Sequence, residues 1–308
     1  MRPRTAPVLA LLAVTAVWGS TFIVVKDAIG RLPVTDFLTW RFGLASLAML
    51  ALRPRAVLAL PPAGLRAGVL LGTALGAGYL LQTLGLQTTP AAVSGFLTGL
   101  FVVFTPLCAA VLLRTRPPRL AWVAVGVAAL GLGLLSLRGP SSAAGPLGAA
   151  WAALGSIGAG ELLTVGCAAA FALHIVGLGR WASSYDAFAL AVPQLLTTTV
   201  LCAVVAVPGG LAMPPDAGVW GALALTALAG TALAFVVQTW AQAHLTPTRT
   251  AVVMTMEPVF SLGFAVALAG EVLTGRTLAG AALVLVAMLL TELGPRHGAE
   301  GKTPRLEV

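Results

Sequence analysis

The amino-acid sequence predicts an all-α integral membrane protein whose ten transmembrane helices form two inverted five-helix repeats. Three observations support this fold class: an apolar composition, ten apolar segments long enough to cross a bilayer, and short matches in the same order in the two halves. Of the 308 residues, 58% are hydrophobic and 9% are charged, whereas soluble domains carry about 25% charged residues. One aqueous core cannot bury so much apolar surface, so the chain belongs in lipid.

Five apolar segments of about 20 residues, the length that spans a bilayer, follow one another in the first half. They are predicted at 7–26, 33–53, 66–87, 90–113 and 118–137. The breaks between them are "RLP", "RPRAVLALPP", "QTTP" and "RTRPPR", and proline is a strong helix breaker. The basic and apolar N-terminus resembles a signal peptide, but it lacks a clear cleavage motif, so we interpret it as a retained first helix.

Five similar segments make up the second half. They are predicted at 161–180, 186–207, 217–243, 248–270 and 276–293. A backbone in hydrocarbon must satisfy its own hydrogen bonds, and the alternation of a barrel strand is absent, so the segments are predicted to be helices. The cysteines Cys108, Cys167 and Cys202 lie inside apolar segments without metal-like spacing, which indicates packing residues.

The basic residues predict the orientation of these helices. With the N-terminus in the cytoplasm, thirteen of the eighteen Lys and Arg residues lie in cytoplasmic segments, four lie in outer segments and Arg41 lies within a helix. This bias follows the positive-inside rule, so both termini are predicted to be cytoplasmic. Topology therefore explains the net charge of +8, and no nucleic-acid partner is expected.

Short stretches of the two halves match at a nearly constant offset. The matches are Trp18 with Phe171, Arg41 with Gln194, "YLLQT" from Tyr79 with "FVVQT" from Phe235, Thr89–Pro90 with Thr246–Pro247, and Pro106 with Pro258. Because each half has an odd number of helices, the second half enters the membrane inverted. Inverted repeats are typical of transporters, which bind their substrate near the midplane between the repeats. Shared Ala, Leu and Gly composition is the alternative explanation.

Several stretches resemble the EamA domain of the drug/metabolite transporter superfamily. They include "VWGSTFIVVKDAI", "TPAAVSGFLTGLFVVFTPLCAAVLL" and "TPTRTAVVMTMEPVFSLGFAVALAGEVLTG", and the resemblance covers roughly residues 8–292 as two repeats. It implies ten helices around a central substrate path and the movement of small metabolites, often outward. Its most specific part is Glu257, Pro258 and the later Glu271. The first half departs from this motif, with Thr105 and Arg114 at or near the matching positions.

Glu257 lies near the middle of its predicted span, where a charge costs roughly 2.5–3.5 kcal/mol on insertion scales. One interpretation is a substrate or proton site that faces a water-filled cavity. The other is a structural carboxyl that is protonated or bonded to a neighbouring helix. Pro258 and Pro106 each remove a backbone donor, so both are predicted helix kinks, and paired kinks in the two halves are expected to open and close a path.

Arg41 lies about two turns into the second predicted span and stays charged. It is expected to meet an anionic substrate, Glu257 or Asp36, or to reach the outer headgroups. Gln82 and Gln238 occupy matched places in the repeats, and they are expected either to line a cavity or to tie helices together.

Trp18, Tyr79 and His174 complete the candidate residues for substrate binding or coupling. Trp18 and Tyr79 are included as polar or aromatic side chains within the predicted spans. His174 lies mid-span and is a group that titrates near neutral pH. The alternative for His174 is a purely structural, hydrogen-bonded histidine.

The expected function is secondary transport of a small metabolite across the cell inner (plasma) membrane by alternating access. The substrate is expected to be an amino acid, an organic anion or a drug-like solute, with export as the direction and Glu257 as the proton carrier. No nucleotide-binding loop and no H-E-x-x-H motif occur, so no cofactor, metal or catalytic residue is expected. An integral-membrane enzyme and a non-transporting membrane sensor are the alternatives.

The predicted domains are a first EamA-like repeat at 7–138, an outer linker at 139–160, a second repeat at 161–293 and a cytoplasmic tail at 294–308. The expected partners are the lipid bilayer and a small-molecule substrate. Small-residue helix faces also leave room for a homodimer.

Overall fold

The computed structural model of the chain describes residues 5–55, 58, 60–112, 119–136, 157–245, 250, 253–254, 256–270 and 274–293. Within these ranges the structure is helical, and no β-strand is found among them. The first half contains α1 (Thr5–Ala28), α2 (Val34–Leu52), α3 (Pro62–Leu86), α4 (Ala91–Thr98), α5 (Phe101–Leu112) and α6 (Arg119–Ser136). The second half contains α7 (Ala159–Trp181), α8 (Ala187–Ala206), α9 (Ala217–Ala224), α10 (Ala234–His244), α11 (Met256–Ala269) and α12 (Gly275–Leu293). A π-helical segment, Leu225–Leu233, joins α9 to α10.

Six helical stretches of the described residues are long and apolar enough to cross a membrane. They are Thr5–Ala28, Pro62–Leu86, Ala91–Leu112, Ala159–Ser184, Ala187–Gly209 and Ala217–His244. Shorter apolar helices at Trp122–Gly131, Met256–Ala269 and Gly275–Leu290 lie at the fifth, ninth and tenth predicted spans. A multi-pass helical membrane protein is therefore confirmed.

The exact count of ten spans stays a prediction. The second predicted span coincides with α2, in which Asp36 and Arg41 interrupt the apolar sequence. Residues 139–156 of the predicted linker and the tail at 294–308 lie outside the described residues, as do Arg114 and Glu271.

Proline and aspartate stand at several helix starts. Pro62 occupies the first turn of α3, where the missing N–H group would have no helical partner in any case. Asp186 and Asp216 precede α8 and α9, and their carboxylates accept the N–H groups of Ala189 and Val219 at 2.9 Å. These side chains satisfy backbone donors that a helix start leaves open. The predicted breaks before these helices thus have a physical basis.

Helices from the two halves pack against each other throughout the described structure. α3 packs against α7 and α8, α2 against α8, α1 against α10 and α11, α5 against α7, and α6 against α12. Glycines permit the closest approaches, since a Cβ on Gly72 would lie 2.5 Å from Gln194 O, and one on Gly85 would lie 2.6 Å from Gly160 O. Small residues let helix backbones come together in the absence of a strong hydrophobic driving force.

Two exposed sets of ion pairs join the halves beyond opposite ends of α2. Arg31 contacts Asp27 and also Asp216, with 2.8 Å between Nη1 and Oδ2 of the latter. Arg53 Nη1 lies 3.3 Å from Asp186 Oδ1 beyond the other end. The backbone N–H at the start of α9, and then Arg31, hold the pKa of Asp216 below its ordinary value.

Two of the long helices are interrupted near their middle. Ala91–Leu112 breaks at Gly99 and Leu100, where the N–H of Leu100 bonds to Leu97 O, three residues back. The second interruption is the π-helical segment. Pro106 lies inside α5, C-terminal to the break, and Pro258 lies in α11. That either proline bends its helix stays a prediction.

Candidate functional site

A cavity lies between helices of both halves, with about 590 Å³ of empty space including the solvent at its open side. Its lining combines apolar side chains with a few polar groups, the usual character of a small-molecule site. It is formed by Trp18, Thr21, Phe22, Val25, Arg41, Leu75, Tyr79, Gln82, Leu86, Phe101, Phe171, His174, Ile175, Phe235, Gln238, Met254 and Glu257. The seven residues that the sequence predicts for binding or coupling are all in this lining. Their individual roles stay predictions.

Arg41 projects from α2 into the protein, and only 2% of it is exposed. Its Nε donates to Thr231 Oγ1 at 2.8 Å. Its Nη2 lies 3.4 Å from Gly230 O and 3.5 Å from Tyr79 Oη, both long for hydrogen bonds. The guanidinium carbon is 4.7 Å from the centre of the Tyr79 ring, a distance at which a cation and an aromatic face attract. The side chain therefore points into the cavity wall and not toward the lipid headgroups.

Glu257 lies in α11, is 5% exposed and lines the same cavity. No carboxylate among the described residues lies within 4.0 Å of the Arg41 guanidinium, so the expected pairing of Arg41 with Glu257 or Asp36 is not formed. Asp36 instead accepts the backbone N–H of Ala212 at 3.0 Å, in the loop before α9. A carboxyl and a guanidinium thus share one cavity without contacting each other.

The π-helical segment supplies the groups that bind Arg41. Thr231 Oγ1 accepts from Arg41 and donates to Thr226 O, five residues back, at 2.8 Å. Gly230 O also accepts from Trp18 Nε1 at 2.8 Å, which connects α1 to the same segment. π-Helical turns inside α-helices occur frequently at functional sites. Gly230 and Thr231 were missed by the sequence analysis, because "LAGTAL" resembles the packing segments of the other helices and shows nothing of hydrogen-bond register.

Four rings form an aromatic cluster at the cavity: Trp18, Tyr79, Phe171 and Phe235. Ring centres are 5.7 Å apart for Trp18 and Phe235, 5.2 Å for Tyr79 and Phe171, and 6.2 Å for Tyr79 and Phe235. Each of these pairs joins a helix of the first half to one of the second. In the sequence, Phe171 and Phe235 stand out only as the matches of Trp18 and Tyr79, and that match is the available signal that they belong to the site.

Two of the remaining polar residues of the cavity, Gln82 and His174, also connect helices. Gln82 Nε2 donates to Thr98 Oγ1 at 3.1 Å, which ties α3 to α4. His174 Nε2 lies 2.8 Å from Gln194 Oε1, which ties α7 to α8. Gln238 Oε1 is buried and has no hydrogen-bond partner among the described residues. Gln82 and His174 thus both line the cavity and bridge helices, whereas Gln238 Nε2 donates to Gln242 Oε1 in its own helix.

Comparison with known proteins decides the family. The model of the EamA-like transporter family matches residues 5–137 and 158–293. The chain belongs to the EamA-like transporter family. An uncharacterized transporter from Archaeoglobus fulgidus is 28% identical over 285 residues, which cover 92% of this chain and 85% of that protein. The crystal structure of another protein has a TM-score of 0.66 at 18% identity and covers 94% of this chain and 98% of its own, which shows a shared fold.

As an EamA-like transporter, the protein is a multi-pass membrane transporter. Its surroundings are the lipid bilayer and its cargo is a small molecule. The family resemblance of the sequence motifs is therefore confirmed. The cavity between the two halves is the candidate place in which this EamA-like transporter binds its cargo.

Proposed function

We propose that this EamA-like transporter is a secondary transporter that exports a small metabolite across the cytoplasmic membrane by alternating access. Its substrate is an amino acid, an organic anion or a drug-like solute. One observation carries the proposal: the cavity between the two halves is lined by Arg41 and Glu257, which do not pair with each other. Intramembrane ionisable groups in such a position are typical of substrate and ion pathways. Export is favoured by the family resemblance.

In this proposal, 7–138 and 161–293 are inverted repeats connected by a linker at 139–160. The matches place α1 opposite α7, α2 opposite α8, α3 opposite α9–α10, α4–α5 opposite α11, and α6 opposite α12. If the halves are related by a two-fold axis, each contact between two helices must recur between the two helices that match them in the other repeat. The packing supports this: α3 with α7 corresponds to α10 with α1, and α5 with α7 corresponds to α11 with α1. α2 with α8 and α6 with α12 are their own counterparts.

The aromatic cluster supports the same relation at the level of side chains. Trp18 matches Phe171, and Tyr79 matches Phe235, so exchange of the halves turns the contact of Trp18 with Phe235 into that of Phe171 with Tyr79. Both contacts are present. Shared composition alone does not explain why matched residues make matched contacts. A site on the axis between the repeats is the arrangement in which one repeat rocks against the other around a bound solute.

The proposed topology has both termini in the cytoplasm, as the positive-inside bias predicts. Arg31 with Asp216 then lies on the outer face, and Arg53 with Asp186 lies on the cytoplasmic face. Cysteine substitutions at Arg31 and Arg53 test this by labelling with an impermeant maleimide in intact cells. Labelling of the Arg31 position alone is expected, and labelling of the Arg53 position alone would invert the topology.

Glu257 is the proposed proton carrier. The protein is first screened by thermal shift with amino acids, organic acids, nucleosides and cationic drugs, because a ligand of the native state raises stability. A binding solute is then followed in vesicles with an imposed pH gradient. Glu257→Gln keeps the size of the side chain and is expected to abolish gradient-driven flux while exchange of the solute across the membrane remains.

Glu161→Gln is the matched control, because Glu161 is a buried carboxylate that accepts the N–H of Gly158 at 3.1 Å at the start of α7. It is expected to keep gradient-driven flux. Full gradient-driven flux in Glu257→Gln would remove Glu257 from the coupling role. Absence of flux for every solute that binds the wild-type protein would remove the transport mechanism itself.

A further inference from the structure

The buried guanidinium of Arg41 has only neutral partners in the described structure. Thr231 Oγ1 is the one close acceptor, at 2.8 Å, and the carbonyl of Gly230 and the hydroxyl of Tyr79 lie at 3.4 and 3.5 Å. A charge removed from water is costly unless it is paired with an opposite charge or fully hydrogen-bonded. Only 2% of Arg41 is exposed to solvent. Its neutral partners therefore compensate the charge of the guanidinium incompletely.

Part of the guanidinium is also unused. Nε and Nη2 make the contacts named above, whereas Nη1 makes no hydrogen bond to any described residue. Since Arg41 lines the cavity, this group is available to a bound solute. A guanidinium presents parallel N–H donors that match the two oxygens of a carboxylate.

The protein's own carboxylates do not fill this place in the described structure. Glu257 lies beyond ion-pair distance of Arg41, and Asp36 is engaged at Ala212 N. Arg41 is the one Lys or Arg residue among the described lining residues, so it balances a single negative charge. A dianion would leave excess negative charge in a cavity of low dielectric.

The opposite part of the solute meets apolar surface. The aromatic cluster stands beside Arg41, whose guanidinium lies over the ring of Tyr79. Trp18 and Phe235 continue this surface along the cavity. Aromatic side chains of this kind bind an apolar or aromatic body by burial and by offset ring contacts.

We propose that Arg41 binds the carboxylate of a monoanionic substrate whose aromatic or apolar body lies against the aromatic cluster. This inference deepens the proposed function and rests on it for the identity of the cavity as the transport site. An ammonium group on the same substrate is disfavoured whenever Glu257 is protonated, because Glu257 is the one carboxyl in the described lining.

Four probes of similar shape and different charge test the substrate class: 3-phenylpropionate, 3-phenylpropionamide, 2-phenylethylamine and phenylalanine. Their affinities for the purified full-length chain in detergent are measured by calorimetry and by quenching of tryptophan fluorescence. The acid is expected to bind about 10- to 100-fold more tightly than its amide, which is the range for a hydrogen bond to a charged group. The amine and phenylalanine are expected to bind more weakly than the acid.

Arg41→Gln is expected to remove the preference for the acid, so that this variant binds the acid and the amide with similar affinity. The retained amide binding shows that this variant is folded, and Arg41→Lys is expected to keep part of the preference. Arg53→Gln is the matched control at the exposed end of α2, and it is expected to change neither affinity.

Equal affinity of the wild-type protein for the acid and the amide would overturn the inference, as would an acid preference that survives Arg41→Gln. Tighter binding of phenylalanine than of the acid, or binding of none of the probes at about 10 mM, would also overturn it. The two proposals fail separately. Selective binding of the acid without flux in vesicles contradicts only the transport mechanism, and gradient-driven flux of another solute without acid preference contradicts only the substrate class.

Discussion

Replacing Thr231 with valine keeps the shape of the side chain and removes the hydroxyl that accepts the shortest hydrogen bond of Arg41. After this change the guanidinium keeps only the contacts at 3.4 and 3.5 Å to Gly230 O and Tyr79 Oη. A hydrogen bond to a charged group contributes about 1.5–3 kcal/mol, and a buried donor left without a partner costs a similar amount. We therefore expect Thr231→Val to lower the free energy of unfolding by about 2 kcal/mol.

Denaturant unfolding of the full chain in micelles, followed by tryptophan fluorescence, measures this effect. Thr226→Val is the matched control in the same π-helical segment. The Thr226 hydroxyl is equally buried, but it donates to Ala222 O at 2.7 Å within its own helix and touches no charged group. Its loss is expected to change stability by about 0–1 kcal/mol. Equal destabilisation by the two variants would refute the reasoning that Thr231 compensates the buried charge of Arg41.

Two further predictions concern helix packing and the exposed ion pair. Gly72→Ala places a methyl group 2.5 Å from Gln194 O, so it is expected to lower the free energy of unfolding by about 1–3 kcal/mol. In the control variant Gly263→Ala the methyl group meets nothing within 4 Å, so the free energy of unfolding is expected to stay the same or rise. Equal effects of these glycine variants would contradict the close approach of α3 and α8. The pKa of Asp216 is lowered, so its charge stabilises the fold at pH values above 3.8, the ordinary pKa of this side chain. This stabilisation is lost as the pH falls through the lower pKa of the folded state. The thermal midpoint of the wild type is therefore expected to exceed that of Asp216→Asn at pH 7 and to approach it as the pH falls below 3.8, and a constant difference would contradict this.

The sequence predicted five of the polar residues that line the cavity, because polar side chains in lipid-spanning helices are costly on a lipid-facing surface. Arg41, Gln82, His174, Gln238 and Glu257 each interrupt an apolar segment, and each lines the cavity. Polarity within an apolar span thus marked them, but it also marks Gln194 and Gln242, which are buried and do not belong to this lining. It was not sufficient to select their partners, since the expected pairing of Arg41 with a carboxylate is absent from the described structure.

The matches between the halves, taken together, indicated further residues of the site that no single match indicated. Trp18 and Tyr79 were candidates in their own right, whereas Phe171 and Phe235 entered only as their counterparts. All four meet in one cluster with corresponding contacts. The order of matched residues along the chain carries this information because repeated folds place equivalent residues in equivalent surroundings.

Composition and periodic apolar segments by themselves determined that the chain is a multi-pass helical membrane protein, because lipid accepts few charges and requires a self-satisfied backbone. The motifs determined its family. Only the tertiary structure decided that Arg41 meets Gly230 and Thr231. That contact depends on a local π-helical register and on the distance between α2 and the segment before α10. Neither is encoded in a local pattern, since both follow from how helices distant in sequence pack.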